Sequence, residues 1–320
     1  MKYKLSYDKL LKRLVRKIVY LPPVKSVINY TKKVALPGFD SIPIYDVADF
    51  FFTGIQRGSI VMRAQSLAFS FFLAVFPAII FLFSLIAYVP IVGLQKDVMI
   101  LMQQMLPMDA FKWTQKTIID IISIQRGGLL SFGFFLALYF TTNGFMTMMR
   151  GFNSSYHIAE TRTPWEQRKT ATVLTLILTT LTVFSTTIII FSEKAIYFLA
   201  ENHILKSKTQ VGMLLLGKWL VVLSLFFFAI SFLYFYAPAV KKRWRFISPG
   251  STFATLLCIL FSTGFAFFVN NFGRYNKVYG SIGTIIVIML WMYFNSMSLI
   301  LGFELNASID NAKRKINKIF

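Results

Sequence analysis

Six stretches of the chain stay apolar long enough to cross a bilayer core as helices, near residues 66–92, 129–149, 170–192, 211–237, 248–270 and 282–303. The last holds 22 residues without a charge, about 33 Å of helix. The stretches between them are amphipathic. The pattern therefore predicts an all-α polytopic membrane protein, a six-helix transmembrane bundle with additional interfacial amphipathic helices.

Residues 5–21 set Leu10, Leu14 and Ile18 beside Leu11, Val15 and Val19, with Lys9, Lys12, Arg13, Arg16 and Lys17 on the opposite face. Such a helix lies flat on an anionic cytoplasmic leaflet, each cation contributing about 1 kcal/mol. A solvated tail that only enforces orientation fits the same pattern. Pro22-Pro23 ends it, and Pro37-Gly38 with Pro43 forms a connector to an aromatic-rich helix near residues 46–56. Between spans one and two, Ile118, Ile119, Ile121 and Ile122 alternate with Lys116, Asp120 and Gln125, which predicts one or two helices on the external surface. The organisation is a basic amphipathic segment over 1–44, the six-span domain over 45–310 and a short basic tail over 311–320.

Polar positions inside the spans change this picture, because unpaired polar groups in hydrocarbon are costly and must face protein or a cavity. Span one opens at Arg63 and carries Ser66, Ser70 and, near its middle, Pro77, where a kink is expected. Its serines read equally as close-packing contacts between helices. Span two carries Thr142 and Asn143 and ends at Arg150; span six carries Asn295, Ser296 and Ser298. Asn143 and Asn295 are expected to share a polar interior. Lys218 sits inside span four beside Trp219, where it either snorkels to the outer headgroups or meets a ligand. Glu304, just past the uncharged run, is expected to pair with an arginine, Arg63 in preference to Arg150. Ser248-Pro249-Gly250 predicts a firm helix start, with a capping residue before a first-turn proline. Tyr279-Gly280-Ser281-Ile282-Gly283 predicts a tight entry to span six.

Composition agrees: hydrophobic residues make up 56% of 320 positions and charged residues 15%, against roughly a quarter charged in soluble domains. A net charge of +21 suggests phosphate-bearing partners, but distribution decides their kind. Of the 34 Lys and Arg, 24 fall on flanks 1–65, 150–169, 238–247 and 304–320, nine on the opposite flanks, and Lys218 lies within a span. This positive-inside bias puts both termini in the cytoplasm and makes anionic lipid headgroups, not a specific nucleic acid, the expected partner. The first 17 residues hold seven Lys and Arg and no apolar core before a cleavage site, so no signal peptide is expected.

Catalytic constellations do not assemble. His157 and His203 fall on opposite sides of the membrane, Cys258 is the single cysteine, and no paired-cysteine, His-x-x-Glu-His or phosphate-cradling glycine motif occurs. No cofactor or metal is expected, and no disulfide can form within the chain.

The sequence Tyr275-Asn-Lys-Val-Tyr-Gly-Ser-Ile-Gly283, the following Trp291-Met-Tyr293 and the ending Gly302-Phe-Glu-Leu-Asn-Ala307 resemble the BrkB/YihY family of bacterial membrane proteins. Residues 63–77, 151–168 (with Asn153, Glu160, Arg162 and Arg168) and 238–252 are similar to the same family, so the resemblance spans about residues 45–310. It implies a multi-pass inner-membrane protein. Family members have borne a ribonuclease label, but phosphodiester hydrolysis needs a positioned base or a metal–carboxylate cluster that these loops do not supply. The 151–168 loop itself reads as an interfacial ion-pair cluster of Glu160 and Glu166 with Arg162, Arg168 and Lys169, worth little if exposed. The expected function is therefore a non-enzymatic transporter or flippase of an anionic amphiphile, with Arg63, Ser70, Thr142, Asn143, Arg150, Lys218, Asn295 and Glu304 lining a polar cavity. A membrane assembly or regulatory protein is the alternative, and a tRNA-processing ribonuclease ranks last.

Overall fold

The computed structural model describes residues 22–57, 59–90, 93–105, 108–155, 160–202, 207–239, 246–271 and 273–317. The described elements are helices: α1 (Pro22–Thr31), α2 (Ile44–Arg57), α3 (Ile60–Ile86), α4 (Leu94–Met105), α5 (Met108–Ser123), α6 (Gly127–Ser155), α7 (Pro164–Glu201), α8 (Lys208–Tyr236), α9 (Pro249–Asn271) and α10 (Gly273–Asn317). The expected basic helix over 5–21 and both histidines lie outside the described residues.

Six of these, α3 and α6 to α10, are long and apolar enough to cross a membrane. Their outward faces carry large exposed apolar side chains such as Phe76, Phe135, Phe184, Leu220 and Phe267. In water such a surface would aggregate, whereas lipid solvates it. The protein is thus an all-helical, multi-pass membrane protein, and α4 and α5 occupy the stretch between the first two spans where one or two amphipathic helices are expected.

Helix ends follow local chemistry. Ser248 and Ser251 cap α9 reciprocally, the Ser251 amide donating to Ser248 Oγ at 3.1 Å and the Ser248 amide to Ser251 Oγ at 3.2 Å. Ser207 and Gln210 form the same box at the start of α8. α3 continues through Pro77, which is buried. The tight entry expected near 279–283 is instead helix, since α10 begins at Gly273. A glycine in a helix costs only about 1 kcal/mol, too little to stop a helix with a long apolar run behind it.

The chain forms two compact units, Ser59–Phe303 and a terminal unit of residues 1–58 with 304–320. In the larger, α3 and α6 run antiparallel in steady register. A Cβ on Gly133 would meet the Phe81 backbone at 3.0 Å, one on Gly144 would meet the Phe71 ring at 2.8 Å, and Arg63 reaches Gly151. Small residues let the two backbones approach closely, as is usual between membrane helices. Phe152 (α6), Tyr234 (α8) and Phe303 (α10) form an aromatic triplet with centroids 4.1–5.4 Å apart. Tyr234 also donates to the Leu299 carbonyl at 2.7 Å. In the terminal unit, Phe39, Ile42, Val47, Ile309 and Ala312 make a small core, with Lys313 paired to Asp40 at 2.7 Å.

Candidate functional site

One group of polar residues in the larger unit lies along α6 and at its C-terminal end, including Thr142, Asn153 and Ser155. Arg63, in the first turn of α3, donates to the Gly151 carbonyl at 2.9 Å and to Ser155 Oγ at 2.7 Å. Two turns further along α3, Ser70 meets Thr147 of α6 at 3.2 Å, and Thr147 donates to the Asn143 carbonyl at 3.1 Å. Arg63 and Ser70 thus lie along the α3–α6 seam, where Thr147 also sits.

The 160–168 segment is folded more tightly than an exposed ion-pair cluster would be. Glu160 receives Arg162 Nε at 2.8 Å on one oxygen, with Arg162 Nη2 at 2.9 Å and Asn153 Nδ2 at 2.6 Å on the other. Arg162 also donates to the Ala237 carbonyl at 3.0 Å, and the Ala239 amide donates to Asn153 Oδ1 at 2.9 Å. This network ties the segment to the ends of α6 and α8. The side chains of Arg162 and Glu160 are only 16% and 17% exposed, and Asn153 is buried. Burial alone would raise the Glu160 pKa, but hydrogen bonds from the Arg162 side chain and amide, its charge and Asn153 outweigh it and hold the carboxyl below its usual range. A carboxylate held this firmly is a weak base. The remaining members of the expected cluster go elsewhere. Glu166 accepts from the Thr163 amide at 2.7 Å, and Arg168 turns toward α6.

Arg168 Nη1 donates to Thr142 Oγ1 at 2.7 Å while its guanidinium lies 5.0 Å from the Tyr139 ring centroid. Thr142 is buried and passes its own proton to the Tyr139 carbonyl at 2.9 Å. Tyr139, Asn143, Met146 and Arg150 follow at helical spacing on one face of α6, about 16 Å long. Tyr139 and Arg150 are exposed on that face, Asn143 and Met146 half-buried.

Three other candidates lie elsewhere. Lys218 is buried on α8 with its ammonium 5.3 Å from the Trp219 ring centroid. Asn295 donates to the Trp291 carbonyl at 2.9 Å and lies 3.5 Å from Ser262 of α9, so its described partners belong to the α9–α10 pair and not to α6. Glu304 is buried in the terminal unit, its carboxylate directly against Gly54 of α2. A recess of about 310 Å³ between α9 and α10 is apolar, lined by Leu260, Phe261, Gly264, Phe265, Phe268, Leu290 and Phe294, and includes none of the eight candidates. Among the described residues no three His, Cys, Asp or Glu side chains come together as metal ligands would.

Sequence reasoning read Glu160, Arg162 and Arg168 as part of an interfacial ion-pair cluster, worth little if exposed, and gave Asn153 no part in it. Asn153 and Glu160 are seven residues apart, yet Arg162 and Ala237 are 75 apart, and only the folded chain brings them together.

Comparison with known proteins is consistent with this architecture. The ribonuclease-like protein YfkH of Bacillus subtilis is 33% identical over 252 residues, covering 79% of this chain and 90% of that protein. A UPF0761 membrane protein of Tolumonas auensis is 31% identical over 108 residues, 34% of each chain. UPF0761 membrane protein PSHAa0171 of Pseudoalteromonas translucida is 34% identical over 78 residues, 24% of this chain and 26% of that one. No solved structure matches. The family described as Virulence factor BrkB matches residues 51–318, and the chain belongs to this BrkB/YihY family of membrane proteins.

Proposed function

We propose that the protein moves an anionic amphiphile, a phospholipid or a polyisoprenyl phosphate, between the leaflets of a bacterial plasma membrane. The observation that carries this reading is the Tyr139–Asn143–Arg150 face of α6. It is a polar, half-open stripe on a helix whose other outward residues suit lipid. Facing hydrocarbon, such groups are unfavourable by several kcal/mol, and a headgroup travelling along them removes that penalty while its chains stay in the bilayer. Ser70 and Thr147 extend the polar surface on the α3 side, and Lys218 and Asn295 supply polar positions on other helices. The ribonuclease-like name belongs to the relative that bears it; here Glu160 is engaged by Arg162 and Asn153, which disfavours a role as general base.

The positive-inside bias supports an orientation with both termini, and the Arg63–Glu160–Arg162 end of the bundle, in the cytoplasm. In a Cys258→Ser background, an impermeant thiol reagent added outside is expected to label a cysteine placed at Lys206 and not one at Lys242. Labelling at Lys242 alone would invert the orientation. Function itself is tested in vesicles containing the purified protein and fluorescent phosphatidylglycerol, where a reductant added outside reads lipid movement. Protein-dependent exposure of inner-leaflet label is the expected result, and its absence with intact, folded protein would refute the proposal.

A further inference from the structure

Arg168 is half-buried in the first turn of α7, and no carboxylate among the described residues pairs with it. Its fork is aimed: one arm is fixed on Thr142 and its plane lies by the exposed ring of Tyr139. Arg150, on the same α6 face as Tyr139, is exposed and also has no carboxylate partner among the described residues. Of the acids nearest along the chain, Glu160 is committed to Arg162 and Asn153, and Glu166 accepts from the Thr163 amide and hydroxyl.

An arginine at a membrane helix end without a counter-charge attracts an anion, and a guanidinium presents parallel donors that match two oxygens of a phosphate. Tyr139 adds a π face that holds the cation in place, and its exposure leaves the site open sideways toward lipid. Thr142 lies 13 residues from the end of α6, about 20 Å along its axis, so the site is set well inside the helix end and not on a loop tip. Basic pockets between membrane helices are suited to phosphate-bearing headgroups.

We infer that Arg168, positioned by Thr142 and Tyr139, binds the phosphate of an anionic lipid, a monoanionic phosphodiester or a phosphate monoester, at the α6–α7 seam. Arg150 supplies a second charge further along the face. The assignment rests on the amphiphile reading above and names the headgroup contact within it. The same chemistry would accept free inorganic phosphate, but the lateral opening beside an exposed aromatic ring favours the lipid.

The test is native mass spectrometry of the detergent-purified full chain titrated with phosphatidylglycerol, with phosphatidylcholine and inorganic phosphate as separate arms. Phosphatidylglycerol is expected to bind more tightly than phosphatidylcholine, and millimolar inorganic phosphate should leave it bound. Arg168→Gln should weaken phosphatidylglycerol binding by about tenfold, since charged hydrogen bonds are lost, and Arg168→Lys should recover part of it. Unchanged binding by Arg168→Gln would overturn the assignment, and displacement by inorganic phosphate would reassign the site to the free ion. If Arg168→Gln does not fold, Tyr139→Leu, at an exposed ring, carries the test: weaker binding supports the site and wild-type binding overturns it. Equilibrium binding requires no transport, so a chain that binds but does not move lipid would keep this site and lose the function, while normal lipid movement with unaltered Arg168→Gln binding would do the reverse.

Discussion

Replacing Gly302 by alanine is expected to destabilise the protein by about 3 kcal/mol, and replacing it by leucine to prevent native packing of α10, because overfilled cores lose roughly 1–3 kcal/mol and more when backbone blocks relief. An added Cβ would stand 2.5 Å from the Gly250 carbonyl oxygen, 2.6 Å from Ala254 Cβ and 2.6 Å from Tyr234 Oη. Neither the carbonyl nor the alanine has a flexible end to move. Tyr234 is held by its bond to Leu299 and by the rings of Phe152 and Phe303, so the substitution disturbs the junction of α6, α8, α9 and α10 together. Thermal unfolding of detergent-purified protein measures the loss. Gly217→Ala on α8, where nothing lies within 4 Å of the new Cβ, is the control and should be neutral or slightly stabilising. Equal stability of the two variants would show that α9 and α10 do not meet at Gly302.

Arg162→Ala is expected to cost about 2–3 kcal/mol, somewhat less than the roughly 3–5 kcal/mol of breaking a fully buried pair, because both partners keep some contact with solvent. The change leaves the Glu160 charge with only Asn153 and the residue-162 amide, and removes a donor from the Ala237 carbonyl. Combining it with Glu160→Gln should recover part of the loss, since no uncompensated charge then remains. The pH dependence has a definite sign. Glu160 has a lowered pKa in the folded chain, so its contribution is complete above the ordinary glutamate range and disappears as pH falls through the lowered folded value. Unfolding temperature should therefore drop on acidification in the wild type, with that component missing in Glu160→Gln. An identical acid profile in the two proteins would mean that Glu160 is not held as described.

These two positions also show what could be read before folding. The six spans were legible because uncharged apolar length is a one-dimensional property, and the start of α9 because Ser248-Pro249 encodes its own cap. The amphipathic helices α2, α4 and α5 were legible by period alone. Span ends were less so: α7 runs from Pro164 to Glu201 and α10 from Gly273 to Asn317, since polar residues continue a helix once it leaves the apolar core. The weight of the 160–168 segment was hidden because exposure decides what an ion pair contributes, and exposure depends on α8 ending against Arg162. A polar residue in a span announces that it avoids lipid, not which helix it meets. Asn295 accordingly found Ser262 and Trp291, whereas Asn143 lies on a face with Tyr139 and Arg150.

The central claim is that a charged headgroup follows the polar face of α6. The most direct measurement compares wild-type protein with an Asn143→Leu, Thr147→Val double variant of matched thermal stability in the vesicle assay, using fluorescent phosphatidylglycerol and a reductant added outside. The account predicts rapid, protein-dependent exposure of inner-leaflet label with the wild type and exposure close to that of protein-free vesicles with the variant. Equal rates for the two proteins would contradict it.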